Sequence, residues 1–105
     1  MRTLEFVVDK QQINKNTSCD FTNIVAGTKG YLKAAFSFSK EWDGCRKVAV
    51  FESKGNKYAV AIQNGECEIP SDALTDYYLW VYVVGEKDGY RITSNKVCIE
   101  QERIR

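Results

Sequence analysis

YLKAAFSFSKEWDGCRKVAVFESKGNKYAVAI, residues 31–62, decides the fold. Leu32, Ala34, Phe36 and Phe38 place an apolar side chain at every second position, and the interleaved Tyr31, Lys33, Ala35 and Ser37 are mixed. A period of two sends alternate side chains to opposite faces of a strand, so this run is a strand with one face toward a core. Val48, Val50 and Phe51 mark a second strand, and Tyr58, Val60 and Ile62 a third. Between those two, Ser53-Lys54-Gly55-Asn56 has hairpin length and a glycine. Between the first and second, Ser39-Lys40-Glu41-Trp42-Asp43-Gly44 fits a helical turn, with Ser39 as its cap and Gly44 ending it in a left-handed conformation. That turn folds Trp42 back as a plug over one end of the core; the other role open to it is a ring for stacking a ligand.

The same short-strand rhythm runs outward in both directions. In residues 3–8, Leu4, Phe6 and Val8 alternate with Glu5, Val7 and Asp9. Residues 10–20 are polar and read as a loop or irregular edge. Phe21, Ile24 and Val25 form a short apolar patch against the core, and Gly27-Thr28-Lys29-Gly30 is a turn that lacks phosphate-loop spacing. After Ile62, Gln63-Asn64-Gly65-Glu66 carries the strongest short hairpin signal, Asn-Gly. A brief strand over residues 67–69 stops at Pro70, which cannot donate to a ladder. Ser71-Asp72-Ala73-Leu74 allows one helical turn capped by Ser71.

Residues 77–84, YYLWVYVV, are the most β-prone run. Tyr77, Leu79, Val81 and Val83 make one face; Tyr78, Trp80, Tyr82 and Val84 make the other. Both are apolar, which predicts a central strand covered on two sides, or covered on one of them by a partner. Residues 85–89 read as a charged turn. Residues 90–93 and 96–101 are the last strands, with a kink or bulge at Ser94-Asn95, and residues 101–105 read as a frayed charged end. Strands this short, with turns every 8 to 12 residues and no helix-period segment, make a β-sandwich or small barrel. One domain, residues 1–105 with an ordered core of about 3–101, suits a chain of 105 residues.

Composition narrows the function classes. The chain has no histidine, the commonest general base and metal ligand. Lys plus Arg is 15 and Asp plus Glu is 14, which gives no pull toward nucleic acid or an anionic membrane but leaves association with proteins easy. Cys19, Cys45, Cys67 and Cys98 form no CxxC and are widely spaced, so zinc is not expected. With no signal peptide at the start, they read as free thiols of a chain kept or assembled in a cytoplasm, some of them small buried hydrophobes, and Cys98, between Val97 and Ile99 in an apolar run, is the first of them expected to be buried. The carboxylate pairs Glu41 with Asp43 and Asp72 with Asp76 sit in turns, as caps or solvated charges. No catalytic constellation, cofactor motif or metal set emerges, and a non-enzymatic protein is expected. The candidate surface is Tyr78, Trp80 and Tyr82, with Trp42 as a further candidate. These aromatics can pack against the other sheet, dock a protein, or stack a sugar or base.

The runs FSFSKEWDG, KVAVF, CEIP followed by SDAL, YYLWVYVVGEKDGYRITSN and KVCIE carry a resemblance. Over residues 4–100 the chain resembles the small immunoglobulin-like β-sandwich domain of tailed-phage and prophage structural proteins. That domain is found at the amino end of baseplate upper proteins and of tail or head-fibre proteins. The matching residues are Phe36 and Phe38, Trp42 and Asp43, residues 48–51, 65–70 and 81–85, and Arg91 to Asn95. The resemblance implies an immunoglobulin-like sandwich of about seven to eight short antiparallel strands. It implies a virion adaptor, decoration or attachment module, assembled in the bacterial host cytoplasm, with other phage structural proteins or its own copies as partners. In that family a fibre stem or receptor-binding part usually follows the domain. Since the chain stops just past it, receptor binding by this chain alone is not expected. Two alternatives stand beside it: a carbohydrate-binding module using surface aromatics, and a small phage-encoded inhibitor of a host protein.

Overall fold

The computed structural model describes residues 1–102. Two β-sheets close on one hydrophobic core, an all-β sandwich as the rhythm of the sequence predicts. In chain order the strands are β1 (Arg2–Asp9), β2 (Gln12–Lys15), β3 (Leu32–Phe38), β4 (Arg46–Ser53), β5 (Asn56–Ala61), β6 (Glu66–Glu68), β7 (Tyr78–Lys87), β8 (Tyr90–Thr93) and β9 (Val97–Glu100). The first sheet runs β2-β1-β3-β6; the second runs β5-β4-β7-β8, with β9 also paired to β7.

Two features depart from seven to eight antiparallel strands. β2 lies inside the stretch expected as loop, because Ile13 is its only apolar residue and gives no visible period. It pairs with β1 across a two-residue turn, and Ile13 is buried. The β1–β3 ladder is parallel, setting Leu4 beside Ala34, Phe6 beside Phe36 and Val8 beside Phe38. Alternation of side chains is the same in either direction, so the period of two could not reveal this.

A row of aromatic rings lines the inner face of the first sheet and runs on to the turn after β3. Phe6 meets Phe21 edge-on at 5.4 Å and stacks with Phe36 at 5.3 Å; Phe36 continues to Phe38 at 5.9 Å and Phe38 to Trp42 at 5.3 Å. Such offset and edge-on pairs are the favoured ring arrangements in a core. Trp42 ends the series as the expected plug. It is 0% exposed, and its Nε1–H donates to the Lys10 carbonyl at 2.8 Å. It sits on a 3₁₀ turn, Lys40–Trp42, and Gly44 follows with φ +76°. Ser39 holds the N-cap position as expected but gives no side-chain cap bond: its Oγ accepts instead from the Lys10 N–H at 2.9 Å, tying the turn to the β1–β2 corner. Ser71 likewise gives no side-chain cap to its 3₁₀ turn, Ser71–Ala73, which begins after Pro70.

Three further expectations are corrected. Asn64-Gly65 makes the tight turn, with both residues at positive φ and Gln63 bridged to Glu66. It does not join two strands of one sheet, because β6 leaves β5 and pairs with β3. The turn is thus the corner where the chain changes sheets, and the Gly65 carbonyl accepts from the Phe36 N–H. β7 runs on through Gly85, which was expected to begin a turn. Gln101 is not frayed: it is 5% exposed and its N–H donates to Tyr77 O, while the Glu102 N–H donates to Ile24 O. The remainder of the expected frayed end, residues 103–105, lies outside the described residues.

Candidate docking face

β7 is the centre of the second sheet, flanked by β4 on one side and by β8 and β9 on the other. Leu79, Val81, Val83 and Gly85 point into the core and are buried. The alternate residues face outward. Tyr78 is 55% exposed and Trp80 43%, with Tyr82 and Val84 half-buried beside them. The packing of these aromatics against the opposite sheet is therefore excluded: they stand on the outer surface of the sandwich.

Strand register builds the rest of the face. Tyr82 lies across from Val50 and Val84 across from Val48; beyond them Val50 meets Ala59 and Val48 meets Ala61 on β5. On the other flank Trp80 lies across from Cys98. Residues directly opposite in a sheet share a face, so these side chains form one apolar surface with Trp80 and Tyr82 in the middle. The sequence reading named the aromatics but missed Val48, Val50, Ala59 and Ala61, whose place depends on pairing partners distant in the chain.

Trp42, the fourth residue named from sequence, does not join them. It packs beneath β7, on the core side. A Cβ built on Gly85 would come within 2.9 Å of its Cε3 atom. That close approach is why β7 carries a glycine in mid-strand.

Charge lies toward the ends of the face, with Arg46 and Glu86 at one end and Glu52, directly across from Trp80, beside Lys57 at the other. Lys96 Nζ meets Glu52 Oε1 at 2.7 Å and lies over the Tyr82 ring at 5.6 Å from its centroid. The hydrogen bond from Lys96 holds the Glu52 carboxyl below its ordinary range, and Glu52 in turn raises Lys96. At the other end Arg91 pairs with Glu86 at 2.6 Å. A groove of about 500 Å³ runs beside Tyr78 and Trp80, with Glu52, Asp76, Lys54 and Lys96 along it. A second, of about 680 Å³, continues the face past Val48 and Val84 toward Phe38 and Ile62.

The four cysteines are unpaired. Cys45 and Cys67 are buried, while Cys98, the first expected to be buried, is only half-buried at the edge of the outer face. Its neighbours Val97 and Ile99 point inward, and alternation turns Cys98 the other way. Burial pushes the Cys67 thiol up to about 12. Among the described residues no group of three His, Cys, Asp or Glu side chains is placed to hold a metal ion, and no helix is long and apolar enough to cross a membrane. No family model matches the chain, and no curated protein matches it.

Proposed function

We propose that the protein is a non-enzymatic docking module that seats another protein on the outer face of its second sheet. The observation that carries this reading is the uncovered apolar surface around Trp80 and Tyr82. Large exposed aromatics gathered on a rigid sheet, with charges toward its ends, have the anatomy of a protein interface. The resemblance stated above supplies the setting: a tailed-phage or prophage virion, where the module serves as an adaptor, decoration or attachment piece of the tail, baseplate or head fibre. The even charge balance favours neither nucleic acid nor an anionic membrane as the surface it meets.

Labelled antibody against the protein, applied to purified virions from cells that express it, tests the setting, and decoration of the particles is expected. A Trp80→Ser, Tyr82→Thr double variant tests the face: it is expected to fold and to be missing from the particles. Expressed protein that never reaches a particle would count against the virion reading, and a double variant incorporated like the native chain would count against the face.

A second reading has its own observation. The groove beside Tyr78 and Trp80 joins two ring faces to the carboxylates of Glu52 and Asp76, a combination suited to the C–H face and hydroxyls of a sugar. Cell-wall glycans that shift tryptophan fluorescence in the native chain but not in Trp80→Ser would favour it; no response to any of them would remove it.

A further inference from the structure

Among the described residues the sandwich has several sheet edges, and all but one are short or tied. At β2, Asn95 closes the edge: its Oδ1 accepts from the Ile13 N–H at 2.9 Å and its N–H donates to the Gln11 carbonyl at 2.9 Å. β6 spans three residues and is soon followed by Pro70. β8 and β9 are four residues each, separated by a jog where Ser94 Oγ accepts from the Val83 N–H. β5 is different. It is six residues long, free of proline, and pairs only with β4; among the described residues no other hydrogen bond reaches it. An edge of that kind is a template for another strand.

One hydrogen bond fixes the parity of its ladder. The Ile62 N–H donates to the Lys47 carbonyl at 2.9 Å, so 47 and 62 are a hydrogen-bonded pair. Such pairs alternate along an antiparallel ladder, so Ala49 with Val60, Phe51 with Tyr58 and Ser53 with Asn56 are bonded too. The N–H and C=O groups of Lys57, Ala59 and Ala61 therefore point away from β4, into the open edge.

We infer that β5 pairs antiparallel with β5 of a second copy of this chain, about a two-fold axis at Ala59. This goes beyond the docking face, since it uses the strand's edge. In this register Ala59 faces Ala59 of the second copy, and Lys57 faces Ala61 in both directions. All three free residues exchange both hydrogen bonds, so no edge group between them is left over. The side chains agree with the backbone. Lys57, the strand's one charge, meets an alanine and never its own copy. Tyr58 lies across from Val60 of the second copy, twice, an aromatic and β-branched pair of the kind that stabilises sheets. Both side chains face the core side yet stay half-buried at the edge, and the added strand covers them. Net charge of +1 opposes the approach of two copies very little. The two five-stranded sheets become one, with both aromatic faces on the same side, and the symmetry closes so that no free β5 edge remains.

Sedimentation equilibrium of the full chain in reductant, from micromolar to millimolar concentration, tests this, together with amide exchange followed by NMR. The expected mass approaches twice the 12.0 kDa of the chain. Exchange at Ala59 and Ala61 is expected to slow with concentration, whereas Tyr58 and Val60, already bonded to β4, stay protected throughout. Ala59→Lys, an exposed site where the change places like charges on the axis, is expected to abolish the dimer with the fold intact by circular dichroism. Trp80→Ser is expected to leave the dimer in place, which separates this edge from the docking face. A monomer at every concentration overturns the inference, and so does a dimer that survives Ala59→Lys or leaves exchange at Ala59 unchanged.

Discussion

The two outer faces of the sandwich differ at their centres. On the first sheet the outward residues are Glu5, Val7, Lys33, Ala35, Ser37, Glu66 and Glu68, with Lys33 paired to Glu66 at 3.0 Å. On the second Val48, Val50, Tyr82, Val84 and Trp80 hold the centre, and the charges Arg46, Glu86, Glu52, Lys57 and Glu100 lie toward the two ends. Both sheets serve the same core with the same inward alternation, so core packing does not explain the difference. A polar outer face is what a sheet shows when water is its only neighbour. An apolar one carries side chains that the core does not need, and the contrast locates function on β7 and the strands beside it.

That contrast can be broken from beneath. Trp42→Ala removes the ring that packs under β7 and closes the aromatic series, so it is expected to cost about 3–5 kcal/mol. Chemical denaturation should read this as a lower midpoint for the whole molecule, since both faces rest on that packing. Gly85→Ala pushes a methyl group against the Trp42 ring and the Cys45 Cβ. Its expected cost, measured the same way, is about 1–3 kcal/mol.

Converting one face toward the chemistry of the other sharpens the comparison. Tyr82→Thr with Val50→Thr gives the second sheet an outer face more like the first. Val50 is 8% exposed and Tyr82 half-buried, so stability should fall by about 0.5–3 kcal/mol, less than for Trp42→Ala, while incorporation into particles is lost. Equal loss of stability and incorporation would mean that the face is structural.

The smallest effects are at the rim and the thiols. The Glu52 carboxyl is lowered in the folded protein, so its contribution is present above its ordinary pKa of 4.5 and fades as pH falls through the lowered value. Glu52→Gln should flatten that acid limb of a stability profile. The Cys67 thiol moves the other way, from 9.0 to about 12. Below 9.0 it is neutral in both states; above that the unfolded thiol ionises first, so stability drops as pH rises from 9.0 toward 12. Cys67→Ala should remove that alkaline loss. Alkylation at neutral pH, followed by mass spectrometry, should label half-buried Cys19 before buried Cys67.

Much of the fold was legible because it is local. The alternation of Leu32, Ala34, Phe36 and Phe38, the Lys54-Gly55 hairpin, the Trp42 plug and the two apolar faces of β7 each depend on neighbours within a few residues. The rest depends on partners far away. Parallel pairing of β1 with β3 leaves no mark on either strand, and the single apolar residue of β2 gives no period. Asn64-Gly65 specifies a turn but not the sheet that the next strand joins. The aromatic half of the docking face could be read from YYLWVYVV alone. Its aliphatic half required knowing that β4 and β5 lie alongside, and the open edge required knowing which strand has no neighbour.

The placement of β1 has a consequence in time. The first strand of the chain is an interior strand of its sheet, held on one side by adjacent β2 and on the other by β3, which begins at Leu32. The β1–β2 corner can form as soon as those residues exist, but the second ladder must wait for the intervening segment to close on itself. Contacts between distant residues slow folding, which places a chain of this topology among the millisecond-to-second folders. The second sheet has its own distant ladder: β4–β5 and β7–β8 join consecutive strands, but β4 must also find β7. Stopped-flow refolding of Phe6→Leu, beside that of Val81→Ala, would show which of the two distant ladders sets the rate.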